Sequence, residues 1–175
     1  RIGPNSVIGH DGFGYDTREG VHHRIPHVEA VEIGDDVEIG AGACIDRGKF
    51  VPTRIGAGTK IDNLVQIGHN VQVGRGCVLC GQVGVAGSTR LGDYVVLGGS
   101  VGVKDNITVG DGVQCAACSA IAQDVPPGER LAGTPAVPAR DKLRQIKATA
   151  QLPDLLRKVK ELEARLAKLE SPTHD

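Results

Sequence analysis

Residues 55–122 divide without remainder into segments of six up to their final pair: IGAGTK, IDNLVQ, IGHNVQ, VGRGCV, LCGQVG, VAGSTR, LGDYVV, LGGSVG, VKDNIT, VGDGVQ, CAACSA and then IA. Each segment opens on an apolar residue: Ile55, Ile61, Ile67, Val73, Leu79, Val85, Leu91, Leu97, Val103, Val109, Cys115 and Ile121. The second position is mostly small (Gly56, Gly68, Gly74, Ala86, Gly92, Gly98, Gly110, Ala116). Four residues past each apolar site stands another small or β-branched side chain, such as Thr59, Val65, Val71, Val83, Val95 or Val101. Neither the helical period of about 3.6 nor plain strand alternation produces this pattern. It predicts a mainly β chain wound as a parallel β-helix of hexapeptides. Each unit is a short strand and a turn, and three units close one triangular coil. Stacked coils then bury one another's inward rows, so no repeat stands alone.

The same ladder starts earlier, at Ile33, Ile39 and Ile45, and before that at Ile2 and Ile8. Two insertions separate these runs, at 10–32 and 46–54. They hold three of the four aromatic residues, Phe13, Tyr15 and Phe50. Such rings either contact ligands or pack the loops onto the prism. The β-helix is expected over 1–125 and a proline-rich exit over 126–141. A C-terminal helix or helices over 142–170 follows, either continuous or broken near Pro153. Leu155, Val159, Leu162, Leu166 and Leu169 form a short a/d seam. Two heptads are marginal alone, so the seam makes sense where identical helices meet around a threefold axis.

Composition narrows the function. A formal net charge of −1 gives no footprint for nucleic acid. No apolar run approaches the roughly 20 residues of a membrane-spanning helix, so no transmembrane segment is expected. The chain opens on RIGPNSVIG, without Met and partway through a repeat, and is read as lacking its natural N-terminus. Five cysteines without a disulfide-scaffold pattern fit a reducing, cytoplasmic setting. Paired Cys77-x-x-Cys80 and Cys115-x-x-Cys118 suggest zinc on paper. The repeat points Cys77 and Cys115 inward about two coils apart, near 10 Å, too far for one tetrahedral metal. No metal or other cofactor is expected.

Residues eighteen apart stack one coil above another, about 4.8 Å away. His69 and Gly87 are such a pair, on the outside of the prism, and Asp105 continues their column with Asn106 beside it. An imidazole next to an exposed backbone N–H pairs a proton acceptor with an oxyanion donor. A neutral imidazole near its unperturbed pKa of about 6.5 suits removal of a proton from an attacking amine.

In this order, "DGFGY", "DDVEIGAGACIDRG", "GTKIDNLVQIGHNV" and "GVAGS" resemble the UDP-3-O-acylglucosamine N-acyltransferases of lipid A biosynthesis, over nearly all of 1–140. The resemblance implies a left-handed coil and a homotrimer with active sites between neighbouring subunits. It implies transfer of a 3-hydroxyacyl group from acyl carrier protein, as co-substrate, to the 2-amine of a UDP-amino-sugar. By the same resemblance His69 is the general base and Gly87 the oxyanion donor. Asp62 and Asn63 bind substrate or position groups near the base. Phe13, Tyr15 and Asn106 are further candidate substrate contacts. Arg140, Lys142, Arg144, Lys147, Arg157, Lys158 and Lys160 either meet the acidic carrier protein or form solvated helix faces.

Three features depart from the family pattern. Its N-terminal uridine-binding domain is missing here, which is expected to lower nucleotide-sugar affinity. Asn106 stands where the family has a histidine, and "KFVPT" offers no aspartates after "DRG". A catalytically silent trimeric scaffold, or an acyltransferase for a related amino sugar, is therefore the alternative. A γ-type carbonic anhydrase needs several converging histidines, and His69 is the only one in the twelve-repeat run.

Overall fold

The computed structural model describes residues 1–170, with side chains through Leu166. The hexapeptides form three parallel faces of a prism. Face I has six strands: Val7–His10, Cys44–Asp46, Gln66–Ile67, Gly84–Val85, Gly102–Val103 and Ala120–Ile121. Face II has five: Val31–Ile33, Thr53–Ile55, Gln72–Val73, Arg90–Leu91 and Thr108–Val109. Face III has seven: Glu38–Ile39, Lys60–Ile61, Val78–Leu79, Val96–Leu97, Gln114–Cys115, Arg130–Ala132 and Val137–Pro138, the last antiparallel to its neighbour. In the uninterrupted run, partners lie one coil of eighteen residues apart, as in Gln72 against Arg90. The second insertion lengthens that offset, so that Val31 pairs with Thr53. The first insertion carries an antiparallel hairpin, Tyr15–Arg18 with Val21–Arg24, which stands outside the prism.

Both periodic rows point inward. Ile67, Leu79 and Leu97 from the first row and Val71, Val83 and Val101 from the second are completely buried. Burial of an aliphatic side chain is worth about 1.5–3 kcal/mol, and coil stacking repeats that gain along the axis. Polar residues in the second row are satisfied by backbone. The Thr59 hydroxyl accepts from the Cys77 N–H at 3.2 Å and donates to the Gly74 carbonyl at 3.0 Å. Cys77 and Cys115 are core residues whose thiols are pushed up by burial, and all five cysteines are unpaired.

The corners repeat as strictly as the core. From Gly58 to Cys118 every sixth residue is left-handed, with φ between 56° and 74°. Only three of these eleven are glycine; the others include Leu64, Asn70, Ser88, Tyr94 and Asn106. A non-glycine residue held there costs about 1–2 kcal/mol, which the hydrogen-bond ladder on both sides offsets.

The proline-rich exit is not a bare linker: Arg130–Ala132 pairs in parallel with Gln114–Cys115, and Leu131 is buried. The helix α1 spans Ala139–Glu170 and begins three residues before the expected 142. It is not broken near Pro153, which it contains. A proline removes one backbone donor, and the flanking turns keep theirs. The chain divides after Ala139 into two compact units. Along α1, Leu155, Val159, Leu162 and Leu166 are exposed. Leu169 of the expected seam lies outside the residues with described side chains. Among the described residues, no helix is long and apolar enough to cross a membrane.

Candidate active site

A cleft of about 660 Å³ opens at the corner between faces I and II. Its floor is the column of His69, Gly87, Asp105 and Asn106, and one wall is the first insertion, with Phe13, Tyr15 and Arg24. Coil stacking fixes the floor. Ser88 N–H donates to the His69 carbonyl at 2.8 Å, and Asn106 N–H donates to the Gly87 carbonyl at 3.1 Å. The peptide around Gly87 is thus held from both sides. A methyl group on Gly87 would lie 2.8 Å from both Cε1 and Nε2 of His69, so the glycine is what lets this imidazole sit against the backbone.

The Gly87 amide differs from those corner amides that a carboxylate caps. Arg75 N–H donates to Asp93 Oδ1 at 3.0 Å, and Asp93 N–H donates to Asp111 Oδ1 at 2.8 Å, each a carboxylate one coil further on. One coil on from Gly87 is Asp105, whose Oδ2 accepts from Asn106 Nδ2 at 2.6 Å. Among the described residues, no acceptor takes the Gly87 N–H. Asn106 thereby engages the carboxylate that caps equivalent amides elsewhere.

His69 is not the solvent-facing ring that its place in the repeat suggests. It is half-buried, and its Nδ1 is buried without a hydrogen-bond partner. Burial is the main reason its pKa lies below the ordinary 6.5 expected from sequence; the nearby charges of His27 and Lys49 act in the same sense. Asp46 and the Phe13 carbonyl pull partly the other way. Asp46 itself, which accepts from Gln66 Nε2 at 3.2 Å, is raised above 3.8 by burial. The cleft therefore favours a neutral imidazole, the form that accepts a proton.

Phe13 and Tyr15 are exposed at the rim, with ring centroids 5.1 Å apart. They do not pack the loop onto the prism. Asp62 and Asn63 are elsewhere, at the corner between faces III and I, lining a separate groove with Lys60 and Cys80. There Asn63 Oδ1 accepts from the Ala41 N–H at 2.7 Å. Within one chain the structure thus brings together five of the seven sequence-derived candidates and leaves Asp62 and Asn63 apart.

Several site residues escape a reading by period. Asn70 Oδ1 accepts from the Lys49 N–H at 2.6 Å, and its Nδ2 donates to Ser88 Oγ at 3.2 Å, clamping the second insertion beside His69. His27 is buried against His69. The one available signal was the glycine pair of "DGFG", since a methyl on Gly12 would meet both imidazoles within 2.9 Å.

Comparison with known proteins agrees with this architecture. The bacterial transferase hexapeptide family (six repeats) matches residues 52–87. The UDP-3-O-acylglucosamine N-acyltransferase of Azorhizobium caulinodans is 59% identical over 145 residues, 83% of this chain and 41% of that protein. Its namesake from Thermosynechococcus vestitus is 55% identical over 161 residues, 91% of this chain and 48% of that protein. The chain thus spans less than half the length of these relatives. Among solved structures, the UDP-N-acetylglucosamine acyltransferase of Francisella novicida superposes with a TM-score of 0.71 at 30% identity, covering 79% of this chain and 50% of that one.

Proposed function

We propose that this chain, which is similar to UDP-3-O-acylglucosamine N-acyltransferases over most of its length, uses its cleft to transfer a 3-hydroxyacyl group from acyl carrier protein to the 2-amine of a UDP-3-O-acylglucosamine. One observation carries the reading: a half-buried imidazole lies against a glycine whose N–H is left without an acceptor among the described residues. His69 removes the amine proton as nitrogen attacks the thioester carbonyl. The Gly87 N–H receives the developing oxyanion. Collapse expels the carrier's thiolate, which takes the amine's proton from the imidazolium, leaving an amide and a free thiol. Neither step needs a metal or a covalent enzyme intermediate. Asp105, held by Asn106, stays off the amide that the oxyanion needs.

Face I continues outward from the cleft as an apolar groove along Gly84, Gly102 and Ala120. It offers room for an acyl chain without side chains in the way. Asp62 and Asn63, at the opposite edge of face I, reach a cleft in a homotrimer, where one subunit's corner meets its neighbour's. The basic residues of α1 suit an acidic carrier protein.

The test is direct. The chain is incubated with a 3-hydroxyacyl carrier-protein thioester and excess UDP-3-O-acylglucosamine, and thiol release is followed alongside the mass and base-stability of the product. A base-stable amide is expected. An ester product, as an O-acyltransferase would give, contradicts the acceptor assignment. Absence of any transfer contradicts the enzyme and favours a trimeric scaffold.

A further inference from the structure

His27 is only 3% exposed, and neither of its ring nitrogens has a hydrogen-bond partner among the described residues. Its ring meets that of His69 with centroids 4.9 Å apart and planes at 60°. Glycines make the room: a methyl on Gly14 would lie 2.8 Å from His27 Cε1, and one on Gly12 would lie 2.9 Å from His27 Nε2 and 2.7 Å from His69 Cβ. A buried donor and acceptor left unpaired costs free energy that a phenyl ring of similar shape would not. Stability alone therefore favours an apolar residue here, and the imidazole needs another explanation.

We propose that His27 is a positioning residue for His69, fixing the plane of that imidazole and opposing a positive charge on it. This rests on the reading of His69 as the base. At this separation a charge on the His27 ring opposes a charge on that of His69. The other groups acting on His69 are Lys49 from the second insertion and Asp46 at the end of a face I strand. Asp46 is also within reach of His10, and Asp105 lines the same cleft. Lys49 opposes protonation of His69 and Asp46 favours it. His27 alone combines a titratable ring with direct packing on the base.

The experiment follows the histidine ring resonances of the full chain against pH in the parent, in His27→Phe and in His27→Gln. Phenylalanine keeps a packed ring and loses the titration; glutamine keeps polarity and loses the ring. Both variants remove the opposing charge, so the His69 midpoint moves to higher pH. In His27→Phe the acid limb of kcat/KM for acyl transfer moves up with it. An unchanged His69 midpoint in both folded variants overturns the proposal. The two readings fail separately. Full activity of His69→Ala removes the base, while the ring titrations still decide the pair. Inactive His69→Ala with an unmoved midpoint removes the pair and leaves the base.

Discussion

A methyl group on Gly87 would stand 2.8 Å from two ring atoms of His69, a distance at which the imidazole must move. Gly87→Ala is therefore expected to lower acyl transfer by about 10²-fold or more, with little change in the thermal midpoint, because the methyl faces the cleft. Steady-state rates and a melting curve check both halves. Asp46 gives a prediction of opposite character. Its folded pKa is raised by burial, so its favourable contribution is complete below 3.8 and is lost as pH rises through the folded value. At pH 7 the ionised carboxylate is a cost, and Asp46→Asn should raise the melting temperature there but not below pH 3.8. The His69–Gly87 couple was legible because a period of eighteen turns chain distance into spatial adjacency. His27 and Asn70 were not: one lies in an insertion without a period, and the other's role depends on what an insertion places above it.

At the scale of elements, the repeat sets limits that side chains cannot relax. A Cβ on Gly74 would run into the backbone carbonyl of Gly92 one coil on. Gly74→Ala should cost about 1–3 kcal/mol, read as a lower denaturation midpoint in urea with an unchanged slope. The inward rows were legible down to individual residues, since an uninterrupted ladder leaves the register no freedom. Leu64 and Tyr94 in left-handed turns were not, because neither side chain favours that conformation and only the ladder imposes it. The strand Arg130–Ala132 was hidden by flanking prolines and glycines that read as a terminator. Of the two alternatives open at Pro153, α1 is the continuous one, since a single missing hydrogen bond does not end a long helix.

For the whole molecule, one chain supplies the imidazole of His69, the Gly87 N–H and a wall, and it leaves Asp62 and Asn63 at a different corner. The homotrimer proposed above would bring such corners together and give α1 partners for its exposed Leu155, Val159 and Leu162. Sedimentation equilibrium should return three times the chain mass, and Leu155→Asp with Leu162→Asp should shift that equilibrium toward smaller species. A monomer at all concentrations would leave the two corners apart and contradict the shared site. The period made the prism readable, but nothing in it states how many prisms associate; that expectation came from resemblance. The central claim is that a structural repeat hosts a proton acceptor at His69. Single-turnover acyl transfer by His69→Ala tests it most directly. The expected result is a rate on the order of 10²-fold or more below the parent, with mass and melting temperature unchanged. Equal rates in the variant and the parent would contradict it.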